Sequence, residues 1–226
     1  MEVGVVEVAV RLGVSERRAR QLLASGRLPA RLVSGRWLID ETDIPRSRPR
    51  SRPMSPRVAW EFISLLSDGP VGSVTQSEQS RLRSKRTELL ASPDPAGLIR
   101  SWLPRRARLV RKAVAAGDGP GLLDDPRVVP SGLSDPRAGL SAASEYEGYV
   151  HDGDLDGLLS DHLVSSAGRP NVWLHVTDRH QIRPAPLGAV LADLADHDRA
   201  REDSQVLAML HEASKMTTRA NPGATC

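Results

Sequence analysis

Apolar residues recur with a helical period at the start of the chain, and the period is interrupted once. The i, i+3, i+4, i+7 spacing of one buried helical face is filled by Val5, Val6, Val8, Ala9 and Leu12. Gly13 suits the left-handed residue that ends a helix, and Ser15 suits the cap of the next helix. The pattern therefore predicts two short helices joined by a tight turn, the second covering residues 16–25 and ending at Gly26.

The second predicted helix has one apolar side and one side of long polar residues. At 100° per residue, the inward side carries Ala19, Leu22 and Leu23. The opposite side carries Arg17, Arg20 and Gln21, with Arg18 on its flank. Arginine can make a bidentate contact to guanine and glutamine can do so to adenine, so this side has the chemistry that reads bases in the major groove of DNA.

A β-hairpin is predicted directly after the two helices. The extended runs 31–33 and 36–39 flank Ser34-Gly35, and two strands around a two-residue turn with glycine form a hairpin. Trp37 and Ile39 would pack the inner side of this hairpin onto the helices. The alternative is an ordinary surface helix with a solvated arginine side, but the ordered succession of helix, turn, helix and hairpin favours DNA binding.

The predicted DNA-contacting residues lie on the second helix, on the segment after it and on the hairpin. Arg17 and Gln21 of the helix would read bases, and the arginines of the hairpin would reach phosphates or the minor groove. The complete set is Ser15, Arg17, Arg18, Arg20, Gln21, Arg27, Arg31, Ser34 and Arg36.

This N-terminal segment resembles the excisionase-like, MerR-type winged helix-turn-helix family. The resemblance is carried by residues 6–9, 12–15, 26–30 and 35–39. It implies a second helix that enters the major groove and a hairpin, the wing, that lies on the DNA backbone. Because the family includes transcription regulators and phage-type recombination accessory factors, the resemblance implies DNA binding but not its purpose.

The rest of the chain predicts an α+β protein with several parts. An arginine- and proline-rich linker over residues 45–53 precedes helices near 55–66, 75–90 and 98–103, whereas residues 105–112 fit either a strand or a helix. Beyond Gly117, β-rich runs are expected at 128–132, 146–150 and 171–176, and helices at 154–161, 185–198 and 201–213. The expected parts are a winged helix-turn-helix domain (1–45), a linker (46–57), a basic, mostly helical connector (58–116), an acidic mixed domain that binds a partner (117–214) and a flexible tail (215–226).

Charge is distributed unevenly along these parts. Residues 1–57 have a net charge of +6 and residues 58–116 a net charge of +5, whereas residues 117–226 have a net charge of −8. A basic front half and an acidic back half suit a protein that binds a polyanion at one end and another partner at the other. The alternative explanation is that net charge simply differs from one domain to the next, without a functional reason.

The C-terminal half resembles the AbiEi-type antitoxin-regulators, which partner nucleotidyltransferase toxins. The residues that carry this resemblance are 125–132, 148–150, 163–164, 171–172 and 189–195. That family has an N-terminal winged helix of a different sequence type, so the excisionase-like front end departs from its pattern. The resemblance implies a transcriptional repressor whose C-terminal domain binds a toxin.

Motifs for catalysis or metal binding are incomplete in this sequence. Residues 152–157 match the first half of a calcium loop, but Leu163 stands where the loop needs a glutamate, so the aspartates are expected to cap and charge a helix instead. The histidines at 175, 180 and 211 lack metal-ligand spacing, and nothing pairs Ser131 with a base. We expect no metal, no cofactor and no enzymatic activity.

The apolar runs and the cysteine content of the chain indicate the cellular compartment that we expect. The chain has no apolar run of ~18 residues and no basic-then-apolar leader, so neither a membrane span nor a signal peptide is expected. Cys226 is the only cysteine, which excludes an internal disulfide framework and favours the cytoplasm.

Three functional hypotheses follow. The first is a transcriptional regulator that binds specific sequences of double-stranded DNA. In this hypothesis the protein is a repressor, and one version of it is the antitoxin of a toxin–antitoxin pair. The second is a recombination accessory factor that contacts an integrase. The third is a protein-interaction module without DNA specificity. The sequence leaves the operator and the oligomeric state open.

Overall fold

The computed structural model describes residues 2–12, 14–24, 28, 30–33, 35–40, 44, 52–115, 117–141, 144–165, 169–179 and 182–220. The chain divides into two compact units, Met1–Arg50 and Ser51–Cys226. Both helices and strands occur in each unit, so the fold is α+β as expected. Each unit is described by itself.

The first unit is built from two helices and a small antiparallel sheet. Its elements are β1 (Glu2–Val3), α1 (Val5–Leu12), α2 (Glu16–Ala24), β2 (Arg31–Val33) and β3 (Arg36–Asp40). The strand order is β1-β3-β2, so β3 pairs on both of its edges. The two helices and the hairpin β2–β3 are confirmed, while β1 was not predicted because two residues are too few to show a period.

The core of the first unit fixes how its helices are rotated. Val8, Ala19 and Ile39 are fully buried in one cluster that joins α1, α2 and β3. The prediction that Val6 lies on the buried side of α1 is wrong, since 60% of Val6 is exposed. Val8 lies two positions after Val6, a rotation of about 200° that places their side chains on roughly opposite sides of the helix.

The second unit is larger, and its described residues form seven α-helices and four strands. In chain order its elements are α3 (Pro56–Leu66), α4 (Gln76–Ala91), α5 (Pro95–Trp102), β4 (Arg108–Lys112), α6 (Gly119–Asp124), β5 (Val128–Pro130), β6 (Tyr146–His151), α7 (Leu155–Asp161), β7 (Val172–Thr177), α8 (Leu187–Asp196) and α9 (Ala200–Ala220). The segment that fitted either a strand or a helix is the strand β4.

Local capping explains where the first helices of this unit begin. Ser55 caps α3 with Pro56 in its first turn, and its hydroxyl accepts from the Val58 N–H. Thr75 and Glu78 form a reciprocal capping box at the start of α4. Asp94 accepts from the Gly97 N–H at the start of α5.

A four-stranded sheet lies at the centre of the second unit. Its strand order is β4-β7-β6-β5, with β6 and β7 parallel and the two outer pairs antiparallel. Val172, Leu174 and Val176 of β7 belong to a core cluster with residues of α6 and α7. Tyr149 of β6 belongs to a second cluster with residues of α3, α5 and α8. Because adjacent strand residues point to opposite faces, each face of the sheet is covered by helices.

Helix α8 is the centre of the helical layer. It is apolar almost all round, and eight of its ten residues, Gly188–Ala195, are buried, as expected for a helix enclosed by others. Gly188 allows α8 to approach α3 closely, because a Cβ there would lie 2.6 Å from the Ile63 carbonyl oxygen. Ile63 on α3 and Ile99 on α5 lie in the same core as Leu191 of α8.

Two of the expected boundaries need correction. The predicted connector, residues 58–116, is not a separate part, because α3 and α5 share a core with α8 and β4 pairs with β7. The predicted tail begins too early, since α9 continues to Ala220. Residues 45–51 of the predicted linker and residues 221–226 lie outside the described residues.

This packing predicts which fragments fold. A fragment of residues 52–226 should unfold in one cooperative urea transition, because it keeps both sheet faces covered. A fragment of residues 117–226 should lack such a transition, since it loses β4 and the helices that bury α8. Far-UV circular dichroism in urea distinguishes them, and equal cooperativity in the two fragments would contradict the described core.

Candidate nucleic-acid interface

Helix α2 begins at a capping serine and turns its apolar side inward. The Ser15 hydroxyl accepts from the Arg18 N–H at 3.3 Å, which satisfies a free donor at the helix start. Ala19 and Leu23 are buried and Leu22 is half-buried, as the sequence predicted. The opposite side of the helix is therefore left facing away from the core.

Four long polar side chains occupy that outer side, and all four are exposed. Helical geometry places Arg17 and Gln21 along its middle, with Arg18 on one flank and Arg20 on the other. Arg20 pairs with Glu16 at 2.8 Å, and the Arg18 guanidinium donates to the amide oxygen of Gln21 at 2.6 Å. Within the described part of the chain, no hydrogen bond or ion pair of the Arg17 side chain is found.

The hairpin β2–β3 carries two arginines on one face. In its register, Arg31 lies opposite Leu38 and Val33 lies opposite Arg36. Residues opposite each other in an antiparallel pair share a face, so Arg31 and Arg36 point to the same side. Ile39 lies on the other face, which packs on the helices. The turn uses the left-handed conformation at Gly35, with φ at 77°.

The predicted contact residues can now be placed. The α2 residues lie together on or beside the outer side, and the two hairpin arginines share one exposed face. Arg27 and Ser34 lie outside the described residues. Both the outer side of α2 and the exposed face of the hairpin carry arginines, and their guanidinium groups attract phosphate.

A helix-turn-helix domain family, of the excisionase-like kind, matches residues 3–46. The match spans α1, α2 and the hairpin, and the chain therefore contains a DNA-binding helix-turn-helix domain. No curated protein and no solved structure matches the chain. The resemblance of the C-terminal half to AbiEi-type antitoxin-regulators is not supported by any of these comparisons.

The second unit contains a buried polar network that the sequence did not predict. Arg106, whose side chain is 2% exposed, bonds the carboxylates of Asp193 and Asp196 and the hydroxyl of Tyr149. Ser131 donates to the other oxygen of Asp193. The signal that could have revealed the network is Asp193 itself, a carboxylate in the middle of an otherwise apolar helix.

A second part of the network joins a carboxylate to two histidines. Glu147 bonds His175 at 2.9 Å and His197 at 3.0 Å, and it also accepts from the Leu133 N–H. Because the Nδ1 of His175 faces an Arg106 donor at 3.5 Å, its Nε2 carries the proton that Glu147 accepts.

The chemistry of this network is structural rather than catalytic. A serine nucleophile needs a neighbouring base, but Ser131 bonds a carboxylate that Arg106 neutralises, and His175 is committed on both nitrogens. Ser131, Glu147 and Asp193 are almost fully buried, so a substrate has no access to them. The network fastens α8 and the segment after α5 to the sheet.

The residues of the incomplete calcium loop have other contacts. Asp152 pairs with Arg108 at 2.7 Å, and the described residues contain no group of three or more side chains that could hold a metal ion. The expectation that these aspartates cap α7 is wrong for Asp154, whose side chain makes no capping bond.

His180 lies outside the described residues, and His211 is exposed on α9. In the described ranges, no helix has the length and apolar character needed to cross a membrane.

The Glu147–His197 pair predicts a pH dependence of stability. Burial lowers the pKa of His197, but the hydrogen bond and charge of Glu147 outweigh burial and raise it above its usual value. The stabilisation is therefore fully present below pH ~6.5, the pKa of an unfolded histidine, and is lost as the pH rises through the higher folded pKa. In urea unfolding at a series of pH values, the free energy of unfolding should fall over this range in the wild type and fall less in His197→Gln.

His211→Gln, which removes an exposed histidine, is the matched control and should keep the wild-type pH slope. Equal slopes for His197→Gln and the wild type would contradict the assigned role of the pair.

Proposed function

We propose that the protein is a sequence-specific regulator of transcription, a repressor, that binds double-stranded DNA through α2 and the hairpin. The observation that carries the proposal is the outer side of α2, where Arg17 and Gln21 lie along the middle and arginines flank them on both sides. The match to a helix-turn-helix family over residues 3–46 supports the same surface.

The arrangement suits the dimensions of DNA. A helix fits the major groove, whose width is about 12 Å, and the residues in the middle of its outer side then reach the base edges. Arg18 and Arg20 project to either flank, where the groove walls present phosphates. The hairpin acts as the wing, and its Arg31 and Arg36 bind the phosphate backbone beside the groove.

The second unit has a different role in this proposal. Residues 1–50 carry a net charge of +4 and residues 51–226 a net charge of −1, so attraction to phosphate is assigned to the first unit and binding of a protein partner to the second. In a repressor, such a partner adjusts the occupancy of the operator. In the recombination alternative, which the excisionase-like match also suits, the partner is an integrase and the protein bends DNA at an attachment site.

The function is tested by selecting binding sites from a randomised duplex library with the full chain, followed by a reporter and a bending assay on the selected site. Repression of the reporter, with little bending, supports a regulator. Strong bending without repression supports the recombination factor. Failure to enrich any sequence would leave the protein-interaction hypothesis.

Base reading is predicted to depend on the middle of α2. Arg17→Ala should weaken binding to the selected site by roughly 1–3 kcal/mol and relax its sequence preference, because a bidentate base contact is lost. Fluorescence anisotropy on selected and scrambled duplexes measures both effects. An Arg17→Ala, Gln21→Ala double variant that keeps the wild-type ratio between the two duplexes would show that another surface reads the bases.

Phosphate binding is predicted to depend on the hairpin. Arg36→Ala should weaken binding to selected and scrambled duplexes alike and lower the slope of log K against log salt by about one, because one phosphate contact is lost. Arg169→Ala in the second unit removes an equal charge and is the control, with an unchanged slope expected. If the two variants give the same slope, the hairpin makes no phosphate contact.

A further inference from the structure

The outer side of α2 contains a contact that bears on which base is read. Arg18 and Gln21 stand three residues apart, so their side chains meet on the helix surface. An Arg18 terminal nitrogen donates to the Gln21 amide oxygen at 2.6 Å, a short distance typical of a hydrogen bond from a charged donor.

The chemistry of arginine fixes which way the glutamine amide is turned. A guanidinium has five N–H donors and no acceptor, so only the oxygen of an amide can face it. The amide nitrogen of Gln21 therefore points away from Arg18. Since Gln21 lies along the middle of the outer side, its two N–H donors are the groups available to a base.

This orientation conflicts with the usual contact between glutamine and adenine. That contact uses the amide nitrogen as donor to adenine N7 and the amide oxygen as acceptor from the adenine amino group. Guanine instead presents two acceptors, N7 and O6, in the major groove. A glutamine whose oxygen is held to one side matches guanine better than adenine.

We propose that Arg18 is a positioning residue that sets the base preference of Gln21, turning it from adenine to guanine. The inference rests on the proposed function, since it specifies how the same surface of α2 reads DNA. Arg18 uses one donor on Gln21, and its remaining donors are free to bind a phosphate at the flank. The pair therefore persists when DNA is bound, because a phosphate and the amide oxygen approach different N–H groups.

The neighbouring arginines do not compete for the glutamine. Among the described residues, the Arg17 side chain has no hydrogen bond to Gln21. Arg20 lies on the opposite flank and pairs with Glu16 at 2.8 Å. Arg18 and Arg20 can therefore be compared directly. Both are exposed arginines on α2, and each contacts one side chain of that helix. Only Arg18 contacts the proposed base-reading residue, Gln21. Exposed pairs of this kind contribute little to folding, so substitution of either arginine tests recognition rather than stability.

The experiment selects binding sites from a randomised duplex library with the full chain and three variants, Gln21→Ala, Arg18→Met and Arg20→Met. Gln21→Ala identifies the position read by Gln21, because the preference there is lost. We expect the wild type to select guanine at that position. Arg18→Met should shift the guanine-to-adenine ratio there by about tenfold towards adenine, since the amide oxygen is released to accept from the adenine amino group.

Arg20→Met controls for the loss of one flanking charge. It should weaken binding yet leave the base preference at the Gln21 position unchanged. Selection of adenine by the wild type, or retention of guanine by Arg18→Met, would overturn the proposal. A wild type that enriches no sequence would instead overturn the proposed function, so the two failures are distinguishable.

Discussion

Burial of Ala19 and Leu23 is the constraint on which the proposed DNA-contacting surface depends. Both residues lie in the small core that joins α1, α2 and β3, and Ala19 is fully buried. A helix has only one rotation that places this pair inward, so the rotation that completes the core also points Arg17 and Gln21 outward. The positions of the proposed base-reading groups thus follow from packing rather than from contacts among the polar residues themselves.

In the second unit, by contrast, contacts among polar groups help to position an apolar helix. Its central helix α8 is enclosed by apolar side chains, yet Asp193 in its middle bonds Arg106 and Ser131. Removing one partner of a buried ion pair is costly because the other charge stays uncompensated. The network therefore favours one register of α8 on the sheet. In the proposed regulator, this fixed register would give the unit that is proposed to bind a protein partner a single defined surface.

The sequence predicted those parts of the fold that local periods specify. The helices and hairpin of the first unit follow from spacing within about ten residues, and the outer side of α2 follows from the same spacing. The expected boundary at residue 117 is wrong because β4 pairs with β7, which lies some sixty residues later, and local patterns carry no such information. The Arg18–Gln21 contact was within reach, since its i, i+3 spacing is visible in the sequence, but its direction required the donor geometry of the structure.

The most direct test of the central claim follows backbone amide signals of the full chain by NMR while its selected DNA duplex is added. The largest shift changes should fall within residues 15–21 of α2 and its cap and within residues 31–36 of the hairpin, with residues 52–220 little affected. Changes concentrated in residues 52–220, with α2 unmoved, would contradict the claim that the outer side of α2 contacts DNA.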